Sequence, residues 1–153
     1  MIVQLWVDGG VNNGGASNEP QSVAMCKIED ESGREYWKCE LIPGSISTME
    51  AEYEGLFLGL RQLKELKYGP KELELYIYSD SLEMVRQMTG ESISKKDFRL
   101  RVYVSDILTY IHNEIGISGN QYEIRHISRN DNKAGQGKMT AIGGGEGYKN
   151  GTK

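Results

Sequence analysis

Residues 2–10 read Ile2-Val3-Gln4-Leu5-Trp6-Val7-Asp8-Gly9-Gly10. Apolar side chains fall on both parities of this run, broken only by Gln4. That is the pattern of a central strand covered on both faces. The run stops at Asp8 and a glycine pair, and residues 9–20 are rich in Gly, Asn and Ser and close on Pro20, a loop composition. Two more strand-like segments follow, at about 21–29 and 34–42. Asp30-Glu31-Ser32-Gly33 joins them as a hairpin turn, so the first three strands form a meander.

Beyond Pro43-Gly44, Ser47-Thr48-Met49-Glu50 matches a capping box, with Ser at the N-cap and Glu three residues on. The spacing predicts a helix over 48–67, stopped by Gly69-Pro70, with Met49, Leu56, Leu60 and Leu63 on one stripe. Residues 72–79 alternate as a strand, about 81–89 forms a short helix ending at Gly90, and about 96–115 forms a longer one ending before Gly116. Residues 121–128 read as a fifth strand. After Asn132 the glycines at 135, 137, 143, 144, 145, 147 and 151 argue against a stable terminal helix, since each interior Gly costs about 1 kcal/mol against Ala. The expectation is an α/β domain over residues 1–142: a five-stranded mixed sheet, order βββαβααβ, flanked by helices, with a degenerate terminal helix. Residues 143–153 are expected as a glycine-rich flexible tail. No internal repeat or second domain is evident.

With 153 residues, 38% of them hydrophobic and 26% charged, the composition is that of an ordinary globular domain. No apolar run approaches the roughly 20 residues of a membrane span, and the N-terminus lacks the basic-then-apolar pattern of a signal peptide. Cys26 and Cys39 fall on neighbouring strands but not opposite each other, and read as free thiols in a reducing cytoplasm. Net charge is −4, but it is unevenly spread. Residues 1–80 hold 14 acids and 7 bases (net −7), and residues 81–153 hold 8 acids and 11 bases (net +3). Such segregation permits a basic groove beside an acidic, metal-holding region.

Three carboxylates stand out. Asp8 and Asp80 both end predicted strands, where ligand chemistry gathers in α/β sheets. Each also has a plain structural reading, as a turn-initiating Asp and as a helix cap. Glu52 lies three residues after Met49 and four before Leu56, on the apolar stripe. A carboxylate on the core side of a helix needs a compensating partner, and no Lys or Arg shares that stripe within two turns. A divalent cation held together with Asp8 and Asp80 would supply one. The alternative is a Glu close enough to the helix start to reach water and the helix dipole.

These residues resemble ribonuclease H. The likeness rests on strand-ending Asp8-Gly9-Gly10 before an Asn/Gly-rich loop and on Ala51-Glu52-Tyr53-x-x-Leu56 in the first helix. It continues in Tyr78-Ser79-Asp80-Ser81, Gln87-x-x-Gly90-Glu91 and Arg125-His126-Ile127-x-Arg129-x-x-Asn132, in register from about residue 2 to 134. It is closest to the compact archaeal and bacterial form, because Ile93-Ser94-Lys95-Lys96 leads straight into the long helix with no room for a basic handle. The resemblance implies a monomeric endonuclease that cuts the RNA strand of RNA–DNA hybrids. Asp8, Glu52 and Asp80 would be both catalytic and metal ligands for two Mg²⁺ ions, with Mn²⁺ as substitute. It also implies nucleic-acid contacts at Gly9, Gly10, Asn12 and Asn13, whose backbone would meet RNA 2′-hydroxyls. Further contacts are implied at Thr48, Met49, Ser81, Lys95, Lys96 and Arg129.

The chain departs from the family at its end. The fourth carboxylate, expected four residues after Asn132, is replaced by Gln136, a neutral oxygen ligand at best, and no Asp or Glu occurs from 132 to 145. Asp131 and Glu146 are the nearest substitutes. Thr48-Met49 stands where the family commonly has Asn. His126 falls in the predicted strand, which leaves Arg129 as the candidate for the mobile-loop role. Two functions therefore follow: an active Mg²⁺- or Mn²⁺-dependent ribonuclease H, weakened by the lost ligand, or an inactive hybrid-binding module. A related exonuclease fold would need a second acid two residues after the first, and Gly10 occupies that place.

Overall fold

The computed structural model describes residues 1–12, 21–44, 46–95, 97–135 and 145–149. Its main elements are β1 (Ile2–Asn12), β2 (Gln21–Asp30), β3 (Glu35–Ile42), α1 (Thr48–Glu65), β4 (Glu74–Ser79), α2 (Leu82–Thr89), α3 (Phe98–Thr109), β5 (Tyr122–His126) and β6 (Gly145–Lys149). They build a mixed sheet of order β5-β4-β1-β2-β3-β6. β1 runs parallel to β4, and β4 to β5, while the β1–β2–β3 meander is antiparallel. This is the α/β fold the sequence implies, with β1 central as its two-sided apolar run requires.

Three differences from the sequence reading change the sheet or the helices by more than a residue or two at an end. β1 does not stop at Asp8. Its parallel pairing with β4 ends at Trp6 opposite Tyr78, but its antiparallel ladder with β2 continues to Asn12 opposite Gln21. Glycine has no side chain to signal a strand, and the pairing energy comes from backbone groups shared with β2. The long helix is α for Phe98–Thr109 and then widens into a π-helix over Tyr110–Ile115, ending on Gly116 at φ 80°.

The third difference is a sixth strand. Where a flexible tail was expected, residues 145–149 pair antiparallel with β3, placing Gly147 opposite Trp37. A Cβ at Gly147 would overlap the Trp37 indole, so the indole packs over bare backbone there. The strand carries no apolar alternation, which is why composition alone reads it as tail.

α1 is the core helix. Both capping-box bonds form: Glu50 N donates to Ser47 Oγ at 3.1 Å, and Ser47 N donates to the Glu50 carboxylate at 3.3 Å. Leu56, Leu60 and Leu63 are buried against Val3, Leu5 and Val7 of β1 and their neighbours on β2 and β4, and Met49 packs at the margin. Cys26 and Cys39 are buried, and among the described residues neither forms a disulfide. Among the described residues, no helix is long and apolar enough to cross a membrane.

Candidate metal centre

β1 and α1 touch backbone to backbone. A Cβ at Gly9 would overlap the Ala51 carbonyl, and one at Gly55 would overlap the Asp8 carbonyl, so only glycine permits this approach at either point. Gly59 extends the seam, resting on the Leu5 and Val7 side chains. The crossing brings Glu52, one turn before Leu56, directly beside Asp8. Asp80 arrives from the end of β4, just beyond the parallel ladder that fixes β4 against β1. Ligand oxygens of Asp8, Glu52 and Asp80 all lie within 4.8 Å of one another. Opposite ligands on one Mg²⁺ stand about 4 Å apart, so this spacing is close to that of a single coordination shell.

Electrostatics set this cluster apart. Glu52 is 7% exposed, and its Oε2 is buried with no hydrogen-bond partner. A desolvated carboxylate oxygen with no partner is expensive unless a proton or a cation satisfies it. From the protein surroundings alone, burial first, then the Asp8 and Asp80 charges, push the Glu52 carboxyl up to about 9. Burial and the charge of Asp80 push Asp8 up to about 6, opposed by its hydrogen bond from Gly9 N and by the Arg129 guanidinium. The donor set is all carboxylate oxygen, which suits a hard divalent cation rather than a thiolate- or imidazole-seeking metal. These residues fit such an ion, which would also supply the partner that the buried Glu52 oxygen lacks.

The turn after β5 closes the fourth side. Asn132 is fully buried and its Nδ2 donates to the Val7 carbonyl at 2.9 Å and to Asp80 Oδ2 at 3.3 Å. Its Oδ1 accepts from Ala134 N at 3.1 Å. One side chain thus ties the turn, β1 and Asp80 together. Sequence reasoning used Asn132 as the end of a motif and as a point to count from; its neighbours carry no sign that the amide would be buried.

The remaining residues singled out from the sequence fall in several places. Gly9 is buried beneath α1 and is not available to a ligand, whereas Gly10 is partly exposed. Asn12 is the last residue of β1. Asn13, Lys96 and Gln136 lie outside the described residues. Met49 and Ser81 meet at the rim, with Ser81 Oγ 3.8 Å from Met49 Sδ, and Ser81 also caps α2 by accepting from Met84 N. Thr48 and Lys95 are exposed. Arg129 lies on an exposed turn, near enough to Asp8 to act on its charge. Arg99 is tied to Glu50 and Asp97, both at 3.6 Å. Neither substitute for the fourth carboxylate joins the cluster. Asp131 accepts from Ser128 Oγ in its own turn. Glu146 stands opposite Lys38 in the backbone register of the edge strand β6, three strand spacings (about 14 Å) from β1. His126 ends β5 and is exposed.

A family model described as Reverse transcriptase-like matches residues 8–136. The chain belongs to that family, whose fold is that of ribonuclease H. Solved structures agree. This ribonuclease H-like chain is similar to LC11-RNase H1, isolated from compost by a metagenomic approach: 25% identity, TM-score 0.68, covering 85% of this chain and 86% of that one. The same protein in complex with an RNA/DNA hybrid matches at 24% identity and TM-score 0.69, over 86% and 88% of the two chains. RNase H1 from the halophilic archaeon Halobacterium salinarum matches at 20% identity and TM-score 0.66, over 88% and 91%. Among curated proteins no match was found.

Proposed function

We propose that this ribonuclease H-like protein hydrolyses the RNA strand of RNA–DNA hybrids as a Mg²⁺- or Mn²⁺-dependent endonuclease. The observation that carries the reading is the convergence of Asp8, Glu52 and Asp80 to within 4.8 Å, with Oε2 of Glu52 buried and without a hydrogen-bond partner. A protein that only bound hybrid would be hindered by three acids beside a phosphate backbone. Divalent cations, when bound, activate a water and stabilise the charge of an in-line displacement at phosphorus.

The chain's own residues do the rest. Asp8, Glu52 and Asp80 would hold the ions and fix their position against the scissile phosphate. Arg129, on its exposed turn beside Asp8, places a guanidinium where a phosphate oxygen can be met. Met49 and Ser81 line the rim next to Glu52 and Asp80. Gly10 to Asn12 form the carboxyl end of β1, whose backbone is the candidate for the 2′-hydroxyl recognition that separates RNA from DNA. Lys95, exposed before α3, contributes a surface cation for the DNA strand.

A second reading is an inactive hybrid-binding module. Gly135 favours it, because the turn that closes the cluster offers no fourth carboxylate. A labelled RNA–DNA hybrid incubated with Mg²⁺ or Mn²⁺ separates the two. Cleavage that disappears in Asp8→Asn and Asp80→Asn supports the enzyme. Intact hybrid with measurable binding supports the module.

A further inference from the structure

Three elements supply the three carboxylates, and a fourth wall is built by the turn after Asn132. That turn is held in place. Asn132 is fully buried and bonded to Val7 and Asp80, Ala134 is 1% exposed, and Gly135 N donates back to the Asn132 carbonyl at 3.2 Å. The turn delivers Gly135 to the cluster. A Cβ built there would lie 2.6 Å from Asp8 Oδ2 and 3.7 Å from Asp8 Cγ. A side chain at residue 135 would therefore project onto the Asp8 carboxylate, and glycine has none. The contact is with the end of the Asp8 side chain and not with backbone, so a small shift of that carboxylate would relieve it.

We propose that position 135 is the fourth ligand position of this cluster, left without a donor by glycine. The nucleic-acid-free protein then takes up one divalent cation, and a carboxylate at 135 lets it take up a second. The inference rests on the metal site of the catalytic reading above. Charge balance gives its direction. Three carboxylates offset one dication with a charge to spare, but two adjacent dications carry +4 against −3, and their mutual repulsion at about 4 Å is large. A fourth carboxylate evens that balance. The unpartnered Glu52 oxygen, more than nine-tenths buried, is the independent sign that an ion belongs here at all.

Mn²⁺ titration of the whole protein without nucleic acid, read by the electron paramagnetic resonance of free Mn²⁺ and by calorimetry, tests this. The wild type should bind one ion per chain. Gly135→Asp should bind two, with the second ion's affinity raised at least about tenfold. Gln136→Asp should stay at one. Gly135→Ala, which crowds Asp8 without adding a donor, should gain nothing. Circular dichroism checks each fold, and if Gly135→Asp does not fold, Gly135→Asn supplies a neutral oxygen at the same point and should still strengthen the second site. Two ions of similar affinity in the wild type would overturn the proposal. So would a gain in Gln136→Asp alone, an equal gain in Gly135→Ala, or no gain at all from donors placed at 135. No Mn²⁺ uptake by any variant overturns both this inference and the catalytic reading. One ion in the wild type with no effect at 135 overturns the inference alone, and hybrid cleavage reports on the reading separately.

Discussion

Gly55 of α1 stands against the backbone carbonyl of Asp8 so closely that a methyl group at 55 would overlap it. The position of Glu52 relative to Asp8 is thus set by two backbones in contact, not by the side chains between them. A strand–helix crossing this close is rigid, because a packed interior yields little to added volume.

Gly55→Ala should therefore cost about 2–3 kcal/mol or more of stability, as overpacking against unyielding backbone does. It should also lower Mn²⁺ affinity by lifting Glu52 away from Asp8. Gly59→Ala meets only the ends of Leu5 and Val7 and should cost less while leaving Mn²⁺ affinity unchanged. Urea denaturation and Mn²⁺ titration of the two variants provide the check. Equal losses of metal affinity would show that the crossing does not set the site.

The raised carboxyls of Glu52 and Asp8 give a pH dependence with a definite sign. An acid whose native pKa exceeds its unfolded value holds its proton more tightly when folded. Its contribution to stability is complete below the unfolded pKa and is lost as pH rises through the native one. Metal-free protein should thus lose stability progressively from about pH 4 through Asp8 near 6 to Glu52 near 9. Added Mg²⁺ or Mn²⁺ should restore it at pH 8, releasing protons as it binds. Glu52→Gln should flatten the upper part of this profile and abolish the restoration. A metal-free profile that rises between pH 6 and 9 would contradict the assignment.

Asn132→Ala removes three hydrogen bonds from a fully buried position. It should destabilise the fold by about 2–3 kcal/mol, because the Val7 carbonyl and Asp80 lose a buried donor. Asn132→Asp keeps the shape but sets a fourth negative charge beside Asp80. It should be the less stable of the two without metal at pH 8, and regain more on adding Mn²⁺. Thermal melts with and without Mn²⁺ decide; the same metal response in both variants would mean that Asn132 only holds the turn.

Gly147→Ala should release β6 from β3, since the Trp37 indole occupies the space of the added methyl. Hydrogen exchange at residues 35–39 should quicken while exchange in β1 and β4 stays slow. The global cost should be small, because an edge strand of five residues shares little of the core.

Much of this architecture is legible along the chain. Ser47 and Glu50 announce the start of α1, Gly90 and Gly116 end their helices in the left-handed region, and the two-sided apolar run of 2–7 marks the central strand. Glu52 declares itself by standing on an apolar stripe, a mismatch between charge and periodicity that burial then makes consequential. These are local signals, carried by the period of side chains and the chemistry of caps.

What the sequence determined alone is the order of elements through β5 and the identity of three acids that do not belong where they fall. Tertiary structure alone decided the extension of β1 to Asn12, the pairing of β6 with β3, the glycine seam between Gly9, Gly55 and the opposing backbones, and the placing of Gly135 on Asp8. The physical reason is common to all four. Each depends on glycine or on backbone hydrogen bonds between residues distant in the chain, and a residue without a side chain leaves no periodic trace until a partner is folded against it.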